Sequence, residues 1–279
     1  MSEDLQKLAE TAESAILAAA AIAERDAGRP LYHFRAPAQW MDDPNGIIFH
    51  EGMYHMMYSL NPHSAEHRAG MVYKTAVRVW DMHSKDWTGG ITVWGHARSK
   101  DLVHWEHLPI AVYPSIGKGE HFVWFGCTVI NDEGVPMAIY TAIGPEMRPE
   151  DSAEQWAALG SPDLMTWRPL PSNPLLTGSA HGATVIGEWR DPFVFKEAGR
   201  TFMVLGDAAA GNRWWRCMKP LIPVSPPGPI AALSSPIPAP PCPAPNAPIS
   251  SGWETNGCCW CPPPRGGGVL RRRAGSGTV

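Results

Sequence analysis

Residues 40–46 read Trp-Met-Asp-Asp-Pro-Asn-Gly, which joins an aromatic ring, two adjacent carboxylates and a chain-turning sequence in one short stretch. Proline lacks an N–H and glycine tolerates a positive φ, so Pro44-Asn45-Gly46 predicts the end of a strand or helix. The turn would hold the Asp43 carboxylate at a strand end, next to the indole of Trp40. This stretch therefore predicts a functional carboxylate on a scaffold of strands and turns.

A second carboxylate recurs in a similar setting far along the chain. Arg190-Asp191-Pro192 again places an aspartate before a proline, now beside a cation. Taken alone, Asp43 could cap its own turn, and Asp191 could belong to a surface ion pair of little energetic value. Together they favour one site assembled from several loops, as the paired carboxyl groups of glycoside chemistry require, with a Trp40 ring suited to stacking on a sugar.

The composition changes sharply near residue 216. Of the 29 prolines, 15 lie after Arg216, as do five of the six cysteines, whereas Glu254 is the only one of the 27 acidic residues there. We therefore divide the chain into a helical segment at 1–30, a β-rich domain at 31–212 and a Pro- and Cys-rich disordered tail at 213–279.

Charge and hydropathy exclude two classes of partner. The net charge of −4 and the pI near 6.2 give no electrostatic footprint for nucleic acid. No apolar run is long enough to span a bilayer, so no membrane partner is expected. The chain begins Met-Ser-Glu-Asp-Leu, which is acidic where a secretory signal needs a basic start. This predicts a cytoplasmic protein, with an extracellular route left open; the oligomeric state is also open.

Hydrophobic periodicity predicts one helix followed by an all-β domain. Apolar residues recur with a helical period over residues 3–25, and Gly28-Arg29-Pro30 ends the pattern. From about residue 31 to 210, short β-like runs alternate with turn signals such as Glu51-Gly52. The runs include residues 46–50, 54–58, 91–94, 135–140 and 193–195. Hairpins that recur in this way favour the blades of a propeller over a single barrel.

Several motifs, in their order along the chain, resemble those of glycoside hydrolase family 32, which comprises invertases, levanases, inulinases and sucrose-6-phosphate hydrolases. Residues 40–46 are similar to the family's W-M-N-D-P-N-G, and residues 94–109 to its W-G-H-A-x-S-x-D-L-V-H-W-E-H-L-P. Further family motifs are matched at residues 61–62, 124–127, 132–141 and 190–192. The resemblance covers roughly residues 31–210.

The resemblance implies an all-β fold, a five-bladed β-propeller that is incomplete here, without the β-sandwich that usually follows. It also implies retaining cleavage of a β-fructofuranosyl bond in sucrose or a fructan, with Asp43 as nucleophile. Asp191 would hold the sugar hydroxyls and stabilise the charged transition state. The implied substrate-binding residues are Trp40, Asp42, Asn45, Trp94, Phe125 and Arg190. No metal or organic cofactor is expected, because two carboxyl groups suffice for this chemistry.

Metal binding is disfavoured on spacing as well. The histidines of residues 94–105 and the Cys-Cys-Trp-Cys run at 258–261 lack the ligand spacing of a zinc site. The Ser-x-Asp-Leu-x-x-Trp pattern at 99–105 instead predicts a β-turn that packs an aromatic ring between blades.

Departures from the family pattern bear on activity. Asp42 stands where the family has Asn and adds a negative charge beside the nucleophile, Ser59 replaces a substrate-facing Gln, and Phe125 replaces a Ser. The family's acid/base glutamate, within E-C-P, is missing, and Glu254 lies in a different context. We therefore expect the chain as written to be poorly folded and weakly active or inactive.

The tail composition predicts a shift of reading frame near residues 211–214. Degenerate codons for residues 245–250, read two nucleotides on, permit E-C-P-D-F, and those for residues 252–261 permit the strand that follows it in the family. A genuine disordered Pro-rich tail is the alternative. The nucleotide sequence separates the two, because only a frame shift yields an uninterrupted E-C-P-D segment.

Two other functions stay open at this point. Fructosyl transfer, in which a sugar replaces water as acceptor, depends on the shape of outer loops. A non-catalytic fructan-binding propeller is favoured by Asp42, by Phe125 and by the missing proton donor. The presence of Asp43 and Asp191 argues against it.

Overall fold

The computed structural model describes residues 3–64, 91–145, 153–181, 187–197, 200–209 and 212–218, all within one compact unit, Met1–Pro240. Helix α1 spans Glu3–Ala23, as the apolar periodicity predicts. Short 3-10 segments lie at Ile116–Lys118 and Gly178–His181. Within the described ranges, no helix is long and apolar enough to cross a bilayer.

The strands form three antiparallel sheets, each a meander in chain order. The first sheet contains β1 Trp40–His50, β2 Met53–Asn61, β3 Val93–Ser99 and β4 Trp105–Val112. The second contains β5 Phe122–Ile130, β6 Pro136–Ile143, β7 Glu154–Gly160 and β8 Trp167–Pro169. The third contains β9 Gly187–Glu197, β10 Arg200–Ala209 and β11 Asn212–Met218. The all-β prediction is confirmed.

The first strands of the three sheets connect neighbouring sheets. Strands β1, β5 and β9 each form an edge of their own sheet, and β5 packs against both β1 and β9. A parallel bridge between Thr92 and Phe122, with a hydrogen bond from the Val123 N–H to the Thr92 carbonyl (3.1 Å), joins the first two sheets. Meander sheets that meet through their first strands are propeller blades. We call β1, β5 and β9 the inner strands.

Two apolar cores fill the spaces between the sheets. The core between the first and second sheets includes Met57, Trp94, Val123, Tyr140 and Trp156. The core between the second and third sheets includes Cys127, Ile139, Trp189, Met203 and Leu205. Burying one large apolar side chain stabilises a fold by about 2–3 kcal/mol, so these cores hold adjacent sheets face to face.

The same turn closes the outer hairpin of the first and second sheets, and its sequence is S-x-D-L-x-x-W both times. The Ser99 hydroxyl accepts the Leu102 N–H (2.8 Å), and the Ser161 hydroxyl accepts the Thr166 N–H (3.0 Å). Leu102 and Leu164 both have positive φ angles, 63° and 61°. The final indole of each turn donates to that leucine's carbonyl, at 3.2 and 2.9 Å. Residues 99–105 therefore close a turn, as predicted.

Helix α1 covers the outer edge of the first sheet. Ala12 and Ile16 are buried in the core of that sheet. The Glu13 Oε1 atom accepts hydrogen bonds from the Ile110 N–H of β4 (2.8 Å) and from the Tyr113 hydroxyl (3.4 Å). An uncovered edge strand would offer such N–H groups to other chains. The N-terminal segment thus packs on the chain's own sheet.

Strand β11 extends past the predicted start of the tail. The division of the chain placed that start at residue 213, whereas β11 pairs with β10 from Asn212 to Met218. Residues 219–279 lie outside the described residues, and so do the predictions of disorder and of a shifted reading frame.

Candidate active site

The Pro-Asn-Gly sequence does not end a strand, so the prediction of a turn there is wrong. Strand β1 continues through Pro44, with irregular pairing between Met41 and Pro44 and again between Asn45 and Ile48. Strand β9 likewise continues through Pro192. Both are edge strands, where a missing proline N–H need not break a ladder, and bulges absorb the altered geometry. The two aspartates therefore sit on bulged inner strands.

Asn45 fastens the Asp43 backbone to two neighbouring strands. Its Nδ2 donates to the Asp43 carbonyl (3.2 Å) and the Ser59 hydroxyl (3.1 Å), and its Oδ1 accepts the Gly126 N–H of β5 (3.2 Å). Asn45 is only 3% exposed. Its place in a sugar pocket stays a prediction; in the structure its side chain holds the Asp43 backbone against β2 and β5. Gly46 is needed beside it, because its φ is +51° and an added Cβ would lie 2.5 Å from a neighbouring hydroxyl.

The two adjacent carboxylates differ in their surroundings. Asp43 is exposed, whereas Asp42 is partly buried. Burial, reinforced by the neighbouring Asp43 charge, raises the pKa of Asp42. Trp40 is also partly buried, and its backbone N–H donates to the Ser64 hydroxyl (2.7 Å), which fixes the start of β1. The carboxylate that meets solvent is therefore the one for which the family resemblance implies the role of nucleophile.

Arg190 and Asp191 form an ion pair on β9. The Arg190 Nη1 lies 3.3 Å from the Asp191 Oδ2, and both side chains are 28% exposed. The guanidinium also lies 5.7 Å from the centroid of the Trp124 ring of β5, a cation–π distance. Asp191 has a φ of +63°, a left-handed conformation that non-glycine residues adopt mainly at turns and functional sites.

The two motifs meet at one segment of β5, Trp124 to Gly126. From β1, Asn45 accepts the Gly126 N–H, and from β9, Arg190 lies over the Trp124 ring. All three inner strands pair irregularly with their neighbours near these residues. Register shifts occur twice in β1, between Val123 and Gly126 in β5, and opposite Arg190 where β10 pairs with β9. Bulges of this kind are concentrated next to active sites, where they re-aim side chains.

Trp94, which the resemblance places among the substrate-binding residues, lies in the core between the first and second sheets. It is 0% exposed, its Nε1 donates to the Trp124 carbonyl (2.8 Å), and its ring lies 5.7 Å from that of Tyr140. Trp94 is therefore a core residue that supports β5 from behind. Phe125, which replaces a family Ser, is partly buried on β5 between the two motifs.

Several residues hold the motifs in ways that the sequence did not predict. Ser59 is 3% exposed and accepts a hydrogen bond from Asn45, so it is structural. Thr141 and Gln155 are both 0% exposed and reach the backbone around Arg190. The family motif at 132–141 contained Thr141 without showing its role, and Gln155 gave no local signal.

The described ranges contain no group of three or more His, Cys, Asp or Glu side chains placed to hold a metal ion. The buried histidines of β2 and β3 bond to each other instead, with His55 Nδ1 lying 3.0 Å from His96 Nε2. Burial lowers the pKa of His55 and lowers that of His96 to about 3, which keeps the pair neutral. The pair thus joins neighbouring strands inside the first sheet.

Comparison with known proteins identifies relatives of this chain. Residues 33–78 and 78–214 match the model of the glycosyl hydrolases family 32 N-terminal domain. An insoluble-isoenzyme beta-fructofuranosidase of Arabidopsis thaliana is 32% identical over 161 residues, which is 58% of this chain and 24% of that protein. A fructan 6-exohydrolase of Beta vulgaris is 32% identical over 173 residues, 61% of this chain and 25% of that protein.

A solved structure shows the same fold. It is a variant of fructan 1-exohydrolase IIa from Cichorium intybus in complex with 1-kestose, 28% identical, with a TM-score of 0.51 over 68% of this chain and 31% of the solved one. The solved relatives are five-bladed β-propellers, and the three sheets correspond to blades of that fold. The chain spans about a quarter of the length of the curated relatives described above. The chain belongs to glycoside hydrolase family 32.

Proposed function

We propose that this chain acts on β-fructofuranosyl bonds of sucrose or a fructan by a retaining double displacement, with Asp43 as nucleophile. The observation that carries the proposal is that two aspartate-bearing strands reach Trp124 to Gly126 of β5. Strand β1, with the exposed Asp43, reaches it through Asn45, and β9, with the ion-paired Asp191, reaches it through Arg190. The relatives' names, beta-fructofuranosidase and fructan exohydrolase, give the class of substrate.

In the first step, the Asp43 carboxylate attacks the anomeric carbon of the fructosyl group. The bond to the leaving-group oxygen breaks, that oxygen takes a proton from water, and a fructosyl ester forms on Asp43. Water then hydrolyses this ester, so two inversions give net retention. Retaining enzymes place their attacking and proton-transferring carboxyl groups about 5 Å apart. Asp191 takes neither of these two roles. Held beside Arg190, it accepts hydrogen bonds from sugar hydroxyls and offsets the positive charge that develops on the ring.

The aromatic and cationic wall of the site has a separate role. Trp124 offers a ring face on which a sugar can stack, and Arg190 fixes the direction of the neighbouring carboxylate. The Trp94 N–H holds the Trp124 carbonyl and so keeps this wall in place. We propose that these residues set the orientation of the fructosyl ring before Asp43 attacks.

Protonation of the leaving group limits the rate in this proposal. The E-C-P sequence that carries the acid/base glutamate in the family does not occur in the 279 residues. General acid catalysis contributes roughly 10²–10⁴-fold, so turnover of an unactivated fructoside is slowed by about that factor. Binding of the fructosyl group does not need this proton and is retained.

A second candidate function is fructan binding without turnover. The missing E-C-P sequence and the Asp42 carboxyl, whose pKa is raised by burial, both favour it. The two functions differ in what they require of Asp43, since attack needs a nucleophilic oxygen and binding does not.

The test is fructose release from sucrose and from a fructan, together with calorimetric binding of the same sugars, by the purified chain. We expect slow release that falls at least about 10³-fold in Asp43→Asn while binding changes less than about five-fold. Glu133→Gln, in the exposed turn after β5, removes a carboxylate away from the site and is the matched control. If the chain binds sugar but releases no fructose in an Asp43-dependent way, the binding function is supported instead. If it binds neither sugar, both functions are refuted.

A further inference from the structure

Two buried polar side chains of the second sheet reach the backbone of the third sheet on both sides of Arg190. The Thr141 hydroxyl of β6 accepts the Asp191 N–H (2.9 Å). The Gln155 Nε2 of β7 donates to the Trp189 carbonyl (2.9 Å). The two side chains also bond to each other, because the Thr141 hydroxyl donates to the Gln155 Oε1 (3.0 Å).

The directions of these three linked hydrogen bonds are fixed by the two backbone groups at their ends. A backbone carbonyl at Trp189 can only accept, so the Gln155 amide must turn its NH₂ group towards it and its oxygen towards Thr141. The Thr141 hydroxyl must then donate to that oxygen and keep a lone pair for the Asp191 N–H. Both side chains are 0% exposed, so water does not compete for these bonds.

We propose that Thr141 and Gln155 are positioning residues for the transition-state-stabilising aspartate of β9: they clamp the backbone around Arg190 and thereby aim the Asp191 carboxylate. This inference rests on the proposed function for its catalytic meaning. The structural part of the inference does not depend on the proposed function, because it concerns only which group accepts the hydrogen bond of the Asp191 N–H.

The clamp acts where the inner strand departs from regular pairing. Asp191 has a φ of +63°, and the pairing of β9 with β10 is irregular between Arg190 and Phe193. A left-handed, bulged residue needs support from outside its own sheet to persist. Thr141 and Gln155 supply that support from the neighbouring blade, much as Asn45 ties the Asp43 segment to β5 on the other side.

Hydrogen exchange at the Asp191 amide tests the clamp in the full chain without any sugar. In the unmodified protein, the Asp191 amide is expected to be protected within about ten-fold of the β10 ladder amides. Exchange at the rate of an unstructured amide would overturn the proposal before any variant is made. This measurement uses only the unmodified protein, so its result does not depend on whether a variant folds.

Three variants sharpen the test. Thr141→Val keeps the side-chain shape but removes the acceptor, and should speed exchange at Asp191 about five- to ten-fold. Thr141→Ser keeps the hydroxyl and should stay within two-fold of the unmodified chain. Thr128→Val makes the same change on β5, where the hydroxyl faces Met57, and should leave Asp191 unaffected. Unchanged exchange in Thr141→Val overturns the clamp.

Sugar measurements on the same variants separate the clamp from the proposed function. With the clamp and the function both correct, Thr141→Val lowers kcat/KM about ten- to a hundred-fold, and Thr141→Ser restores it to within about three-fold. Accelerated exchange at Asp191 in a chain that neither binds nor cleaves fructosides would uphold the clamp and refute the function. A loss of kcat/KM with unchanged exchange would refute the clamp alone.

Discussion

Replacing Glu120 by glutamine should flatten the dependence of stability on pH. Glu120 is 2% exposed just before β5, and its Oε2 accepts the Ser115 N–H (2.7 Å). Burial, opposed in part by the hydrogen bonds to its carboxylate and supported by the negative charge of Glu154, raises its pKa from 4.5 to about 8. The fully buried Tyr140 packs against it and offers no positive charge.

The difference in proton uptake between the folded and unfolded chain determines how Glu120 changes the free energy of unfolding with pH. Below about pH 4.5 the carboxyl is protonated in both the folded and the unfolded chain, so its titration costs no stability. As the pH rises to about 8, only the unfolded chain ionises freely, and the folded state loses free energy relative to it. At about 1.4 kcal/mol per pH unit, the span from pKa 4.5 to about 8 limits the loss of unfolding free energy to roughly 5 kcal/mol.

Urea denaturation of the chain at several pH values from 5 to 9 measures this effect. Unfolding free energy should fall with pH in the unmodified protein and fall less in Glu120→Gln, so that the variant is the more stable of the two at pH 9 by about 2–5 kcal/mol. Glu120→Asp keeps a titrating carboxyl at the position and should retain the pH dependence. Parallel pH profiles for the unmodified chain and Glu120→Gln would refute the reasoning.

Three further changes have expected outcomes. Gly46→Ala forces a side chain onto a φ of +51° and against the Thr128 hydroxyl, so urea denaturation should show a loss of at least about 2 kcal/mol, and a loss below 0.5 kcal/mol would contradict the geometry. Arg190→Lys removes the planar group over Trp124 and should weaken fructoside binding about ten-fold by calorimetry; unchanged affinity would exclude Arg190 from the site. Glu13→Ala leaves the β4 edge N–H without its acceptor and should cost about 1–2 kcal/mol, whereas Glu13→Gln should cost less; equal losses would point to helix packing alone.

Local sequence patterns predicted several of the strands and the hairpins between them. The runs at 46–50, 54–58 and 193–195 fall inside β1, β2 and β9, because alternating apolar residues between turn signals are a local property. Glu51 and Gly52 both take positive φ angles in the β1–β2 turn, as a tight hairpin requires. The repeated S-x-D-L-x-x-W turn was also visible in the sequence, and its second copy at residues 161–167 would have strengthened the propeller prediction.

The errors arose where distant parts of the chain decide the outcome. Pro44 has the local chemistry of a turn, but β1 is an edge strand in the sheet order of the described residues. Only that order reveals that a proline can lie within the strand. Trp94 lies in a motif rich in aromatic and polar residues, and the arrival of β5 from another sheet buries it completely. Burial and side-chain role are tertiary properties, so motif membership alone did not predict them.

A fructoside with an activated leaving group gives the most direct test of Asp43 as nucleophile, because such a donor departs without a proton. The purified chain is mixed with the donor, quenched at once and digested, and the peptides are mapped by mass spectrometry. We expect one added fructosyl group on the peptide that contains Asp43, and none in Asp43→Asn. An unlabelled Asp43 peptide despite rapid release of the leaving group, or a fructosyl group on any other carboxylate, would contradict it.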